Sequence, residues 1–414
     1  MSRGNCRRTK YAILLGIGVM LGLFTACGKE ETKPVKEKET LTLWHYLDQS
    51  VSKQALSDIA DEFNASQKEI NVEIQYVPDE DFKKHLALSM ADGDMPEMAL
   101  VDSSDLKYFN AMQSFVDVTE QIESLDEYLP EATASCSVDG KMLGLPIGMN
   151  CAALYCNTEM LEEKGLKVPD TWDELEETAR KLTEENRYGF AMPALQSEES
   201  VFSFLPMLWS YGGKIAEIDS AGSRQAFTKL RELSENGAMS SQTINLTGGD
   251  LGRQFIAGNV GMVLMSSAMQ HTIQEENPEL KYTMTLPPIG NQTEERVTTI
   301  GGEVLVVTPG EKQDVALKFV QYLSEKEQLK VCLDGTGYLA PREDILQEQV
   351  TENEGLKNTY EMIQHARLRE FSVDWPYVST ALTDAMEDEI IGDIPDDVII
   401  SNLAEKLQKN RGTK

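Results

Sequence analysis

The stretch "DGKMLGLPIGMNCAALYCNTEMLEEKGLKVPDTWDELEETARKLT", residues 139–183, joins a strand pattern to a marked helix start. Residues 144–156 form an apolar run that predicts a buried strand. Thr171 and Glu174 form the Thr-x-x-Glu pattern of a capping box, which opens a helix. Apolar residues follow at helical spacing: Leu175, Ala179 and Leu182. The stretch therefore predicts one strand and helix unit of an α/β fold.

The same alternation extends in both directions along the chain. Strands are predicted at 41–46, 70–76, 97–101, 259–265 and 303–308, and helices from Ser52 and at 81–91, 314–323 and 397–408. Strand, helix, strand, helix, strand is the order that builds a parallel sheet, so we expect one in the first third of the chain. No internal repeat of fixed period is present.

Length and charge limit the possible functions. A chain of 414 residues exceeds what one hydrophobic core usually serves, which predicts two lobes. Its 69 acidic and 38 basic residues give a formal net charge of -31. A surface of this charge repels phosphate backbones and anionic lipid, so nucleic acid is excluded as an expected partner.

The first 39 residues have the features of an export signal and a tether. Arg3, Arg7, Arg8 and Lys10 precede an uncharged run, residues 11–26, that is shorter than the roughly 20 residues of a membrane-spanning helix. Phe24-Thr25-Ala26-Cys27 resembles the lipobox of bacterial lipoproteins. We expect a signal peptide over 1–26, a lipid on Cys27 and a disordered linker over 27–39. An uncleaved or unlipidated signal is the alternative.

Catalytic and metal-binding motifs are missing from the sequence. It contains no HExxH, GxxxxGK[ST], GxGxxG or GxSxG motif, and its four histidines are isolated from one another. No catalytic residue, metal or cofactor is therefore predicted. Cys136, Cys151, Cys156 and Cys332 are too scattered for a disulfide framework and are expected to be buried.

Three segments together resemble family 1 of the extracellular solute-binding proteins of bacterial ABC importers, the maltose-binding protein type. They are residues 139–183, 258–270 and 314–344; Leu143 and Thr158 depart from the usual tyrosine and lysine. The resemblance implies an α/β, two-lobed periplasmic-binding-protein type II fold with a hinged cleft. It implies an N-terminal lobe of 40–147 and 303–345 and a C-terminal lobe of 148–302 and 346–414. A monomer is expected.

The resemblance also implies a set of cleft residues, each with an ordinary structural role as the alternative. They are Trp44, His45, Asp48, Asp102, Ser103, Asn150, Trp209, Tyr211, Ser266, Ser267, Glu303, Trp375 and Tyr377. Aromatic faces and convergent polar groups suit a sugar ring, which has an apolar face and a rim of hydroxyls. None of these residues is basic, which favours a neutral solute over an anionic one.

The expected function is capture of a neutral carbohydrate, most simply an oligosaccharide, by cleft closure. The resemblance implies delivery to ABC permease subunits from the extracytoplasmic face of the membrane. Two alternatives remain open. A secreted glycoside-acting hydrolase would cleave the sugar, and a surface sensor or adhesion protein would use the same fold without a permease.

Overall fold

The computed structural model of the protein describes residues 38–290, 295–369 and 374–411. The predicted signal peptide, Cys27 and the predicted linker as far as residue 37 lie outside the described residues. Strand β1 begins at Glu39, next to the expected start of the folded part at Thr40. In the described ranges, none of the helices has the length and apolarity needed to cross a bilayer.

The alternation of strands and helices predicted from the sequence is confirmed. The strands are β1 (Glu39–His45), β2 (Ile70–Tyr76), β3 (Met98–Asp102), β4 (Ser137–Val138), β5 (Lys141–Met142), β6 (Leu145–Asn157), β7 (Tyr188–Ala191), β8 (Val260–Ser266), β9 (Tyr282–Thr285), β10 (Thr298–Val307) and β11 (Ala366–Arg367). The helices are α1 (Ser50–Ser66), α2 (Asp79–Asp92), α3 (Leu106–Asn110), α4 (Pro130–Ser135), α5 (Thr158–Glu163), α6 (Trp172–Leu182), α7 (Glu198–Ser210), α8 (Ala221–Glu235), α9 (Gly248–Ile256), α10 (Met269–Glu276), α11 (Gln313–Ser324), α12 (Lys326–Thr336), α13 (Glu343–Glu352), α14 (Glu354–Ile363), α15 (Trp375–Ile391) and α16 (Asp396–Arg411).

Two long antiparallel strands, β6 and β10, connect the two halves of one mixed sheet. The sheet has the order β2-β1-β3-β10-β6-β8-β7, with β11 beside β10 and β9 beside β6. β1 is parallel to β2 and β3, as predicted. One half of β10 pairs with β3, whereas the far half of β6 pairs with β8 and β9. The chain therefore crosses between the halves along these two strands.

The buried apolar side chains show where one half ends and the other begins. Met149 belongs to a core that includes β1, β2 and β3, whereas Cys151 belongs to a core beside β8. A further core covers the opposite face of the second half and includes Cys156 and helices α7 and α15. The expected two-lobed α/β architecture is therefore confirmed, with Asn150 between the cores. The exact segments assigned to each lobe stay a prediction.

Local details of the quoted stretch also follow from its residues. Thr171 Oγ1 accepts the backbone N–H of Glu174 at 3.1 Å, which caps α6. The Glu174 carboxylate accepts the N–H of Asp170 instead of that of Thr171, so the capping is not reciprocal. Cys151 and Cys156 are free, buried and packed on opposite faces of the sheet. Residues of unlike parity in one strand point to opposite sides, as expected.

Candidate functional site

A cavity of about 1090 Å³, including the part open to solvent, lies between the two lobes. Both lobes and both crossing strands contribute to its wall. Its lining includes Tyr46, Asp48, Asp79, Phe82, Lys83, Asp102, Asp105, Asn150, Glu198, Glu199, Phe202, Thr247, Ser266, Gly301, Gly302, Glu303 and Tyr338. Its size is that of sites for small molecules, and its aromatic and carboxylate side chains suit a polar solute with apolar faces.

The ends of strands and the first turn of one helix position these side chains. Tyr46 and Asp48 follow β1, and Asp102 ends the neighbouring parallel strand β3. The carboxyl ends of parallel strands lie at one edge of a sheet, where α/β proteins bind ligands. From the other lobe, the first turn of α7 brings Glu198 and Glu199 to the same cavity.

Glu198 is the most heavily bonded side chain of the cavity wall. It is 6% exposed. Lys83 Nζ lies 2.8 Å from its Oε2, and Arg369 Nη1 donates to Oε1 at 2.8 Å. Trp375 Nε1 and Ser379 Oγ donate at 3.0 and 2.8 Å. Although burial acts to raise it, the pKa of Glu198 is lowered by the charges of Lys83 and Arg369.

Arg369 and Lys83 extend this network to the first lobe. Arg369 Nη2 donates to both carboxylate oxygens of Asp102, at 2.6 and 2.8 Å. Lys83 Nζ lies 3.0 Å from Asp105 Oδ1. Burial acts to lower the pKa of both bases, but the surrounding carboxylates raise it above the ordinary value. Both bases are therefore charged, and the network ties the two lobes together.

Glu303 lies on crossing strand β10 and is held by two tyrosines. The hydroxyls of Tyr46 and Tyr338 donate to its carboxylate, the latter at 3.2 Å. Burial, followed by the charge of Asp102, raises its pKa. Tyr46 follows β1 and Tyr338 follows α12, so this carboxylate joins three separate segments of the first lobe.

Asn150 and Gly301 are paired neighbours on the two crossing strands. Asn150 is 8% exposed, and its Oδ1 is a buried acceptor that no described group satisfies. A Cβ on Gly301 would lie 2.5 Å from this oxygen. A side chain at this position would force the Asn150 amide or the Phe202 ring, which would lie 2.9 Å away, to shift. Buried acceptors are normally paired, so Asn150 Oδ1 is suited to a donor from a bound solute.

Three further carboxylates, Asp48, Asp79 and Glu199, lie on the wall, and two of them accept hydrogen bonds at the start of α9. Thr247 Oγ1 donates to Asp48 Oδ2 at 3.1 Å, and the Gly248 N–H donates to Glu199 Oε2 at 3.0 Å. Burial is the first cause that raises the pKa of Glu199 to about 8 and that of Asp79 to about 7. These groups are costly to ionise without a positive partner.

The structure brings together part of the site predicted from the sequence. Five of the predicted residues line the cavity: Asp48, Asp102, Asn150, Ser266 and Glu303. Eight do not: Trp44, His45, Ser103, Trp209, Tyr211, Ser267, Trp375 and Tyr377. The lining residues lie at strand ends and crossings, whereas most of the others lie within elements or at the far ends of helices.

Trp44 and His45 lie within β1, before the strand reaches the cavity. Trp44 pairs with Gln75 and Ala99 and packs on the first core. Tyr46, immediately beyond the strand, is the residue that lines the cavity. His45 is buried, and burial followed by Lys53 lowers its pKa to about 4, so it stays neutral.

The four aromatic residues predicted from later segments have other positions. Trp209 lies about 16 Å along α7 from Glu198, given the helical rise per residue, and packs on the second lobe with Tyr211. Trp375 is fully buried, and its Nε1 donates a hydrogen bond to the Glu198 carboxylate. Tyr377 is 43% exposed, and its hydroxyl donates to the Lys406 carbonyl at 3.2 Å.

The two predicted serines contribute to the fold next to the cavity. Ser103 starts the short 3₁₀ turn after β3 and is buried. Ser267 Oγ accepts the N–H of Cys151 at 3.1 Å, which joins β6 to the end of β8. Neither side chain lines the main cavity.

Sequence reasoning missed Lys83, Glu198, Glu199 and Arg369. Glu198 and Glu199 open α7, where acidic residues are an ordinary sign of a helix start. Lys83 falls within a predicted helix, and no local pattern marks Arg369. The two acids could have been found from the helix start, but the pairing of Glu198 with Lys83 and Arg369 has no sequence signal.

Among the described residues, no group of three or more histidine, cysteine or acidic side chains could hold a metal ion. The comparison with known families is more informative. The model of the family described as bacterial extracellular solute-binding protein matches residues 58–358. The chain belongs to this family.

This solute-binding protein resembles several relatives over long stretches. It is 23% identical to a binding protein of Brucella abortus over 97% of its own length and 98% of that protein. It is 24% identical to the multiple sugar-binding protein of Streptococcus mutans, over 54% of this chain and 50% of that one. The maltose-bound MalE3 of T. maritima superposes with a TM-score of 0.82 at 21% identity, covering 89% and 99% of the two chains, and shows the shared fold.

Proposed function

We propose that this solute-binding protein captures a carbohydrate between its lobes and delivers it to the permease of an ABC importer. The observation that carries the proposal is a cavity to which both lobes contribute polar groups and aromatic faces. Closure on a solute stabilises a state in which both walls contact it, so binding shifts the population of open and closed forms. No covalent step on the solute is part of this function.

Several chemical features support a carbohydrate. Tyr46 and Phe82 form an aromatic pair with ring centroids 5.0 Å apart, which offers an apolar face. The carboxylates and the Asn150 oxygen accept hydrogen bonds from hydroxyls. The S. mutans relative is named as a multiple sugar-binding protein, and the T. maritima neighbour holds maltose.

Calorimetry of the purified chain against mono- and oligosaccharides tests the proposal. At least one carbohydrate should bind and be recovered intact after release. Failure of the whole panel, with binding of acidic solutes instead, would refute it. Cleaved sugar in the recovered material would instead establish the hydrolase alternative.

We further propose that the protein is attached to the extracytoplasmic face of the membrane through a lipid on Cys27. The lipobox-like Phe24-Thr25-Ala26-Cys27 and the family of extracellular proteins support this location. Expression in a bacterium followed by mass spectrometry should show a lipid on an N-terminal Cys27. The Cys27→Ser variant should lose the lipid; an unmodified Cys27 in the wild type would reject the anchor.

A further inference from the structure

The charges that line the cavity are unequal. Seven carboxylates and one lysine line it. The lysine is Lys83, and the carboxylates are those of Asp48, Asp79, Asp102, Asp105, Glu198, Glu199 and Glu303. Lys83 and Arg369 pair with Asp102, Asp105 and Glu198 at distances of 2.6 to 3.0 Å. The positive charges of Lys83 and Arg369 are therefore already paired with three of the carboxylates.

Four acids of the wall remain without such a partner. Among the described residues, no lysine or arginine forms an ion pair with Asp48, Asp79, Glu199 or Glu303. Glu303 instead accepts from two tyrosine hydroxyls. Asp48, Asp79 and Glu199, which we call the acidic wall, have one hydroxyl and one backbone N–H as their hydrogen-bond donors.

Two members of the acidic wall lie close together, because Asp48 and Glu199 accept hydrogen bonds from the adjacent residues Thr247 and Gly248. After burial, the charges of Asp48 and Asp79 are the next causes that raise the pKa of Glu199. Asp79 is affected by Asp48 as well. Lys83 acts to lower the pKa of Asp79, and Lys53 and Arg253 that of Asp48, but burial outweighs these bases and the pKa of both acids stays above the ordinary value. A positive group placed here would relieve this repulsion.

An independent feature indicates a solute that donates hydrogen bonds in the same cavity. Asn150 Oδ1 is a buried acceptor that no described group satisfies, on a side chain that is 8% exposed. The Tyr46 and Phe82 rings supply aromatic surface, which also attracts cations.

We propose that the carbohydrate carries a protonated amino group, which binds between Asp48, Asp79 and Glu199. This inference rests on the proposed function and specifies its substrate class. An ammonium group provides three donors and one positive charge, whereas a hydroxyl provides one donor and no charge. The sequence-based expectation of a neutral sugar rested on mapped residues that did not include Asp79 or Glu199.

Sugars that differ only in this group give the sharpest test. We suggest calorimetry with glucosamine against glucose, galactosamine against galactose, and the β-1,4 disaccharide of glucosamine against cellobiose. The N-acetylated forms control for size without charge. The amine should bind at least about tenfold more tightly than its hydroxyl match, the gain expected when a charge-assisted hydrogen bond replaces a neutral one. Added salt should weaken only the amine's binding.

Charge-removing variants identify the group responsible. Glu199→Gln and Asp48→Asn keep the approximate shape and should each reduce the preference for the amine several-fold. Glu177→Gln is the matched control, because Glu177 lies on the exposed face of α6 and pairs with Lys181. It should leave the preference unchanged. Circular dichroism establishes that each variant is folded.

Each outcome separates this inference from the proposed function. If neutral sugars bind as tightly as the matching amino sugars, the proposed amino group is wrong and the proposed carbohydrate receptor stands. Binding of an aliphatic diamine without any sugar supports the cation site and overturns the carbohydrate proposal. Amine preference that survives both variants shows that the acidic wall is not the site. Absence of all binding overturns both.

Discussion

Lys83 Nζ lies 2.8 Å from Glu198 Oε2, and this ion pair joins helix α2 of the first lobe to the first turn of α7 in the second. Arg369 completes the connection by bonding Glu198 and Asp102 together. Buried charges therefore contribute to the arrangement of the two lobes.

Removal of the central charge should destabilise the folded protein. Glu198→Gln leaves Lys83 and Arg369 facing an uncharged side chain, and loss of one partner from a buried ion pair lowers stability by about 3 to 5 kcal/mol. Chemical denaturation measures the change in free energy of unfolding. Glu177→Gln, on the surface, should change it little. Equal effects of the two variants would show that the buried network does not stabilise the fold.

Affinity should depend on Tyr46 and not on Trp209. Tyr46→Leu removes the aromatic face and the hydroxyl that bonds Glu303, with an expected loss of about 1 to 3 kcal/mol of binding free energy. Trp209→Leu alters packing in the second lobe without touching the cavity wall. Calorimetry with the same sugar compares the two. A larger loss for Trp209→Leu would favour the site predicted from the sequence.

A side chain at Gly301 should strain the crossing strands. A Cβ there would lie 2.5 Å from Asn150 Oδ1, so Gly301→Ala should destabilise the protein by about 1 to 3 kcal/mol, as overpacking does. It should also weaken solute binding by displacing the amide. Gly310→Ala is the control because its Cβ would meet no atom within 4 Å. Thermal unfolding and calorimetry measure both effects; wild-type behaviour of Gly301→Ala would contradict the predicted close approach.

Stability without solute should fall as pH rises from about 5 to about 8. Burial, then Asp48 and Asp79, raise the pKa of Glu199 to about 8, so the folded state holds a proton that the unfolded state has released. One such group changes the unfolding free energy by at most about 1.4 kcal/mol per pH unit. Asp79 and Glu389 add to this decrease of stability with pH, because the pKa of each is raised to about 7. Glu389 lies far from the cavity.

Thermal midpoints measured across this range check the sign of the effect. Glu199→Gln should flatten the profile because its side chain cannot titrate. The lowered pKa of Glu198 places its loss of charge in more acidic solution, so it does not oppose the trend in this window. A profile that rises with pH, or one unchanged by Glu199→Gln, would contradict the assignment.

The sequence alone predicted most elements of the fold. Apolar residues at helical spacing located α6, α11 and α16, and the strand, helix alternation predicted the parallel arrangement of β1, β2 and β3. These patterns are local consequences of which face of an element is buried. The family resemblance placed Asp102 at the cleft, and Asp102 does line the cavity at the end of β3.

The tertiary structure decided which side chains meet across the lobes. Lys83 and Glu198 are far apart in sequence, and neither helix pattern reveals that their charges pair. The tertiary structure also showed that Tyr46 and Trp44 differ in role. Both are aromatic and close in sequence, but only Tyr46 lies beyond the end of β1 and lines the cavity. Periodicity determines the buried face of an element, whereas a binding site depends on where several elements end in space.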